Sequence, residues 1–266
     1  MKIDSHMHIN GKNINWGWKD NDLIIEAADK LEIDKLAVSI PVNRRYSTRD
    51  ELPTKIKLPT MEEIIEDNDD VLEAMKRYKG RILGYCSVVP GFFKESISEI
   101  DRCLDKGMIG VKVYNQYKIW DPVFYPIIEK SIEEKFPILV HGGFSTSPEE
   151  WDFEPNASHA ADFAYVSKLY PEAMIIEGHI GGGGDWEWAI KHLRNAPNIY
   201  LDTGGSVVDE GMIEMAVREL GAERLLFATD MSMEAGVSRM NGADLAEETR
   251  EKILWKNFQN ILDKRR

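Results

Sequence analysis

Short apolar runs recur along the chain, separated by segments in which apolar residues return at helical spacing. The runs cover 2–8, 35–42, 82–89, 108–114, 137–141, 174–180, 199–203 and 225–230. The helical segments cover 22–32, 61–79, 93–106, 124–135, 161–170, 186–195, 209–220 and 244–263. Several runs are nearly continuous in Val, Ile and Leu, which is typical of parallel strands covered on both faces. The pattern predicts an α/β fold, a single (β/α)8 TIM barrel over residues 1–266, because a doubly wound sheet gives no reason for eight repeats.

Three of the predicted connections that follow strands are long, at 9–21, 43–60 and 142–160. In a barrel such loops lie over the carboxyl ends of the strands, where sites are built. Trp16 on the first of these loops is expected in a lid against substrate or in a subunit interface. Arg44 on the second could receive an anionic substrate, and a solvated loop charge is the alternative.

Composition narrows the choice of partners. The net charge of −13 argues against nucleic acid and anionic membrane surfaces, since both bind basic proteins. The only two cysteines, Cys86 and Cys103, lie in apolar surroundings and are expected to be buried thiols. No apolar run reaches the length of a membrane span. We therefore expect a cytoplasmic protein with a small-molecule substrate, and the loop tryptophans suggest a homodimer.

The first run carries two histidines two residues apart. In an extended strand Asp4, His6 and His8 would share one face, with Ile3, Ser5 and Met7 on the other. Two imidazoles that converge from one strand supply part of a metal site. The alternative is that one histidine caps the strand end and the other is solvated.

Further ligand-type residues close other predicted strands. His141 ends the fifth strand, His179 the sixth and Asp230 the eighth. Because the carboxyl ends of barrel strands form one rim, this joint placement predicts a zinc-type site of three histidines and Asp230, with one histidine to spare.

These residues lie in motifs that resemble the amidohydrolase superfamily, and in particular its amidohydrolase 2 branch. The motifs are His-x-His on strand 1, Val140-His141-Gly142-Gly143, Gly178-His179-Ile180-Gly181-Gly182 and Thr229-Asp230. That branch includes aminocarboxymuconate-semialdehyde decarboxylase, γ-resorcylate decarboxylase and pyrone-dicarboxylate lactonase. The resemblance implies a metal held by His6, His8, His141 and Asp230, with His179 beside it and with His179 and Asp230 as catalytic residues. Many relatives have Ser-Asp-x-Pro after strand 8, whereas this chain has Thr229-Asp230-Met231-Ser232, which puts the shape of the last loop in doubt.

The donor set suits one divalent cation per chain. Three neutral imidazoles and one carboxylate leave a coordination position open on Zn²⁺, and a bound water would reach a pKa of about 7. Asp230 could accept a proton from that water, and His179 could polarise a carbonyl. Manganese or iron would also accept these ligands.

Lys112 and Tyr114 alternate with valines in the fourth run and are expected to point into the barrel. A buried ammonium needs a partner. Lys112 could bind a substrate carboxylate or pair with Asp4 or Asp202, or it could be carbamylated and bridge two metals. Tyr114 and Asp202 are candidates to orient a ligand, and Lys112 and Tyr114 are assigned to substrate binding.

Two reactions fit this site. The leading hypothesis is hydrolysis of a C–O or C–N bond in a lactone, ester or amide, in a small carboxylated or cyclic substrate. The alternative is non-oxidative decarboxylation of a small aromatic or unsaturated acid, which would make the protein a lyase. The same ligands serve both, and His6 favours hydrolysis slightly because some decarboxylases of the branch have Glu at that position.

Overall fold

The predicted barrel is present in the computed structural model, which describes residues 1–12, 17–41, 59–143, 156–180, 186–205 and 207–265. Eight parallel strands follow one another in chain order from β1 to β8. Their bounds are β1 Ile3–His8, β2 Lys35–Ser39, β3 Ile82–Val88, β4 Gly110–Val113, β5 Ile138–His141, β6 Ile175–Gly178, β7 Ile199–Asp202 and β8 Leu225–Leu226.

The barrel is nearly closed between β8 and β1. The backbone N–H of Ser5 donates to the carbonyl of Phe227 at 2.9 Å, and that of Asp230 donates to the carbonyl of His6 at 2.9 Å. The chain beyond β8 therefore runs along β1, and Asp230 is held beside the end of the first strand.

Helices lie between the strands and cover the barrel. Their bounds are α1 Trp18–Lys30, α2 Met61–Arg77, α3 Phe93–Asp105, α4 Tyr125–Glu134, α5 Ala160–Leu169, α6 Trp186–Leu193, α7 Met212–Leu220, α8 Met233–Gly242, α9 Glu247–Glu251 and α10 Asn257–Asp263. A capping box of Thr60 and Glu63 starts α2. A π-helical segment, Lys252–Lys256, joins α9 to α10, so the predicted helix at 244–263 is interrupted.

The sequence pattern did not predict α8, which follows the short β8. A side chain at Gly236 would come within 2.8 Å of the Thr229 side chain, so this glycine allows the helix to pack closely on the end of β8. Glycine in a helix interior weakens the helical signal, and here it is present for packing.

The core has two parts. Between sheet and helices lies the larger one, which includes Val111, Val113 and Met7. Inside the barrel lies a smaller one, which Phe258 and Ile261 of α10 join from the amino-terminal end of the strands. Its central members are Ile3, Ala37, Tyr85, Leu139, Ile176 and Leu226.

A bulge in β1 changes which side chains point inward. Asp4 is opposite Leu36 and Met7 is opposite Val38, so β1 advances three residues while β2 advances two. Asp4 consequently accepts hydrogen bonds from Thr229 and lies near Met7, on the helix side of the sheet, whereas Ile3 packs inside the barrel. The prediction that Asp4 shares a face with His6 and His8 is wrong, because strict alternation does not survive the bulge.

Among the described helices none is both long and apolar enough to cross a membrane.

Candidate metal centre

The strands carry four histidines and one aspartate to the carboxyl end of the barrel. His6 and His8 lie on β1, His141 ends β5, and His179 follows β6. Asp230 follows β8. His179 and Asp230 have left-handed backbone φ angles of 73° and 45°, which non-glycine residues rarely adopt. Such strain is typical of functional positions, where the surrounding structure must hold the backbone in place.

The side chains converge on Asp230. Ligand atoms of His6, His179 and Asp230 lie within 4.8 Å of one another. Asp230 Oδ2 is 2.9 Å from His179 Nε2, and Asp230 Oδ1 is 3.6 Å from His6 Nε2. Asp230 Oδ1 is also 3.2 Å from His8 Nε2. We call His6, His8, His179 and Asp230 the metal centre.

His141 lies at the edge of this group. Its ring is 4.5 Å, centroid to centroid, from that of His179 in an edge contact, and it stacks on Tyr114 at 4.3 Å. The three residues whose ligand atoms lie within 4.8 Å of one another are therefore His6, His179 and Asp230. Two of them are predicted ligands, and the third is His179 rather than His141. The assignment of His141 as the ligand and His179 as the catalytic residue stays a prediction.

Each histidine of the metal centre has its Nδ1 engaged away from Asp230. His6 Nδ1 lies 2.8 Å from Asp202 Oδ2, and His179 Nδ1 lies 3.0 Å from the Gly142 carbonyl. His8 Nδ1 lies 3.3 Å from the carbonyl of Ser39. For His6 the acceptor is a carboxylate, so the proton is on Nδ1 and Nε2 presents a lone pair toward the centre, as in metal-binding histidines whose other nitrogen donates to a carboxylate. The Ser39 hydroxyl also lies 3.1 Å from His8 Nδ1.

Asp202 at the end of β7 holds two of these histidines at once. While Oδ2 faces His6, Oδ1 accepts the backbone N–H groups of His179 and Gly204, each at 2.8 Å. Burial alone would raise the pKa of Asp202, but its interactions with His6 and His179 outweigh burial and the pKa is lowered. The sequence marked Asp202 as a candidate to orient a ligand or to pair with Lys112. The contact with His6 joins β7 to β1, which strand order alone does not reveal, and the role of Ser39 carried no sequence signal.

The surrounding histidines keep the Asp230 carboxylate ionised. Burial acts to raise the pKa of Asp230, yet His179 and His6 hold it far below its usual range. Burial lowers the pKa of His6 to about 4, so its imidazole is neutral at pH 7. Burial also acts to lower the pKa of His179, but Asp230 more than offsets it and the pKa is raised.

The geometry fits a divalent cation. His179 Nε2 is buried, and its short contact with Asp230 lacks hydrogen-bond alignment, so the atom has no hydrogen-bond partner among the described residues. Converging imidazole nitrogens and an ionised carboxylate are the donors that Zn²⁺ and Mn²⁺ accept.

Lys112 points into the barrel as predicted, with its neighbours Val111 and Val113 packed on the helix side. Its ammonium contacts neither predicted partner: Nζ lies 2.9 Å from His6 Nε2. Burial lowers the pKa of Lys112 to about 8. Tyr114 lies beside it, with Nζ 5.8 Å from the ring centroid.

Trp16 and Arg44, assigned to substrate binding from the sequence, lie outside the described residues. Trp18, on the same loop in the sequence, instead begins α1 and packs on the core with Arg77 over its ring.

A second group of ligand-type residues lies between β3 and α3. Cys86, Glu99 and Cys103 have ligand atoms within 4.8 Å of one another, and all three are buried. Both cysteines are free thiols, as predicted. We call these three residues the thiol–carboxylate cluster.

Comparison with known families agrees with the motifs. A family model described as amidohydrolase matches residues 3–258. The chain therefore belongs to the amidohydrolase family, in the amidohydrolase 2 branch that the motifs resemble.

Several individual proteins similar to this chain are decarboxylases. γ-Resorcylate decarboxylase of Polaromonas sp. (strain JS666 / ATCC BAA-500) is 32% identical over 114 residues, which is 35% of each chain. The match thus spans about a third of that relative. The 2,6-dihydroxybenzoate decarboxylase structure from Rhizobium has a TM-score of 0.71 and 18% identity, with 98% of each chain covered. Dihydroxybenzoic acid decarboxylase from Polaromonas sp. JS666, solved with manganese and the inhibitor 2-nitroresorcinol, has a TM-score of 0.71 and 19% identity, covering 100% of this chain and 97% of that one. The structural likenesses establish the shared fold.

The leading hypothesis of hydrolysis is wrong in the light of these relatives, and the alternative of decarboxylation is the better supported. The reason is that the ligand set is common to both reactions. A histidine at position 6 therefore does not distinguish them.

Proposed function

We propose that this protein is a metal-dependent decarboxylase of a small aromatic or unsaturated acid. The observation that carries the proposal is the 32% identity to γ-resorcylate decarboxylase. The metal centre at the carboxyl end of the barrel supports it, since this is where enzymes of this fold build their sites.

His6 and Asp230 would hold the cation, with His8 and His141 completing the ligand set, at one cation per chain. Zn²⁺ and Mn²⁺ both suit these donors. When bound, the cation supplies a Lewis acid that neutralises negative charge on the substrate. Asp202 orients His6 through Nδ1, and the buried walls of the barrel exclude water.

In the reaction the bond between the carboxylate group and the substrate carbon that carries it breaks. CO2 leaves, and the electron pair that remains on that carbon takes up a proton. His179 supplies this proton in our proposal. Its Nε2 lies 2.9 Å from Asp230 Oδ2, and the nearby carboxylate raises the pKa of His179, so the imidazole can hold a proton and give it to the carbon. Lys112 and Tyr114, at the end of β4, would bind the acid.

The test is CO2 release from 2,6-dihydroxybenzoate and a panel of other aromatic acids, with the protein loaded with Mn²⁺ or Zn²⁺. We expect turnover of at least one acid. His179→Asn should keep its metal and lose roughly 10²- to 10⁴-fold in kcat, the range of a general acid. His192→Asn is the matched control, because His192 is exposed on α6 and should leave kcat unchanged.

His141→Asn distinguishes the role of His141 from that of His179. We expect His141→Asn to lose the metal and His179→Asn to keep it. Turnover of lactones or amides without CO2 release from any acid would overturn the proposed function. Loss of metal from His179→Asn with retention in His141→Asn would exchange their roles.

A further inference from the structure

Lys112 makes an unusual contact for a buried ammonium. The residue is 3% exposed, and Nζ lies 2.9 Å from His6 Nε2. Within the described part of the chain no carboxylate forms an ion pair with Lys112 at 4.0 Å or less. The close partner of the Lys112 ammonium is therefore His6 Nε2 rather than a carboxylate.

The contact at His6 Nδ1 shows how Nε2 can interact with Lys112. His6 Nδ1 faces the Asp202 carboxylate at 2.8 Å, and an ionised carboxylate only accepts hydrogen bonds. The proton of neutral His6 is consequently on Nδ1, and the lone pair on Nε2 accepts from Lys112. A metal ligated by His6 would use the same lone pair.

We propose that Lys112 and the divalent cation compete for Nε2 of His6, and that the displaced ammonium then binds the anionic group of the substrate beside the cation. The inference rests on the proposed metal-dependent function and deepens it. It makes Lys112 a residue that weakens metal binding and strengthens anion binding.

The physical basis is like-charge repulsion at short range. An ammonium next to a divalent cation opposes its binding, and burial limits the screening by water and salt. Lys112 is carried by a buried strand, so after leaving His6 it remains in the mouth of the barrel. An acid that binds there offsets both positive charges, and metal and acid therefore bind cooperatively.

The experiment measures two affinities on the full chain. Mn²⁺ binding is measured by competition with a chelating dye, and 2,6-dihydroxybenzoate binding by calorimetry on the Mn²⁺-loaded protein. Lys112→Met keeps most of the stem and removes the charge. We expect Mn²⁺ to bind at least about tenfold more tightly and the acid at least about tenfold more weakly.

Lys118→Met is the control, because Lys118 follows the same strand but pairs with Asp162 and the Ala157 carbonyl, away from the metal centre. Both of its affinities should match those of the wild type. Lys112→Gln serves as a second neutral variant if Lys112→Met does not fold, and the same opposite changes are expected.

Weaker or unchanged Mn²⁺ binding in a folded neutral variant would overturn the inference. So would an intact mass that shows an added carboxyl group on Lys112, because the residue would then be anionic. The Mn²⁺ measurement involves no turnover. Absence of CO2 release from every acid would therefore count against the proposed function while leaving the competition for His6 intact.

Discussion

The metal centre and the thiol–carboxylate cluster contain similar ligand types but differ in how their polar atoms are satisfied. The first lies at the carboxyl end of the barrel, and the second is buried between β3 and α3. Around Glu99, Oε1 accepts from Asn68 at 2.8 Å and from the Cys103 thiol at 3.3 Å. Arg102 donates to both oxygens of Glu99 at 2.7 Å. The lone pairs of this carboxylate are already used, and a guanidinium balances its charge.

Around Asp230 the opposite holds. Its side chain is 22% exposed, and three imidazoles lie near its oxygens with Nδ1 already engaged elsewhere. The buried ammonium of Lys112 donates to His6 rather than pairing with the Asp230 carboxylate. A set of ligand-type residues thus forms a binding site only where the neighbouring residues leave its lone pairs free.

The largest effect is expected from Asp230→Asn. This change removes the anionic ligand on which the imidazoles converge, so Mn²⁺ should bind at least about 100-fold more weakly, with loss of any decarboxylation. Metal content after gel filtration and a dye competition assay measure it. Wild-type Mn²⁺ affinity in Asp230→Asn would remove this residue from the metal centre.

Asp202→Asn tests the support of His6. The amide can still occupy the same space, but it no longer fixes the Nδ1 proton by charge. We expect Mn²⁺ affinity to fall by roughly 10- to 100-fold, as for residues that orient a metal-binding histidine. Asp209→Asn, on the exposed loop after β7, is a control of equal chemistry. If Asp202→Asn binds Mn²⁺ as tightly as Asp209→Asn and the wild type, Asp202 does not support metal binding through His6.

The sequence predicted the barrel and the rim of histidines because both depend on local periodicity. Apolar runs mark the strands, and a strand end places His141 or His179 at a known edge. The bulge in β1 was not predictable in this way, since it depends on the register between β1 and β2. The contact of Asp202 with His6 also joins residues distant along the chain.

The choice of reaction escaped the sequence pattern for another reason. Hydrolysis and decarboxylation use the same imidazoles and the same carboxylate, so the ligands identify the centre and not the bond that breaks. The relatives, rather than any residue of the HxH motif, favoured decarboxylation.

Glu99→Gln tests whether the thiol–carboxylate cluster stabilises the fold without taking part in metal binding. The new amide group would place a donor against the donors of Asn68 and Arg102, so we expect a loss of about 1–3 kcal/mol in the free energy of unfolding. Urea denaturation measures this, and Mn²⁺ affinity should be unchanged. A parallel loss of Mn²⁺ would show that the two groups are coupled rather than independent.

The smallest effect concerns the pH dependence of stability. Burial raises the pKa of Cys86 well above its ordinary value. Above pH ~8.5 the unfolded chain releases the thiol proton while the folded chain retains it, so the free energy of unfolding should fall by up to ~1.4 kcal/mol per pH unit from this group. Cys86→Ala removes the group, and urea denaturation at pH 7 to 10 should show a shallower alkaline decline than in the wild type. Equal slopes would mean that Cys86 ionises as readily in the fold as in the unfolded chain, and the contrast with the ionised Asp230 would then weaken.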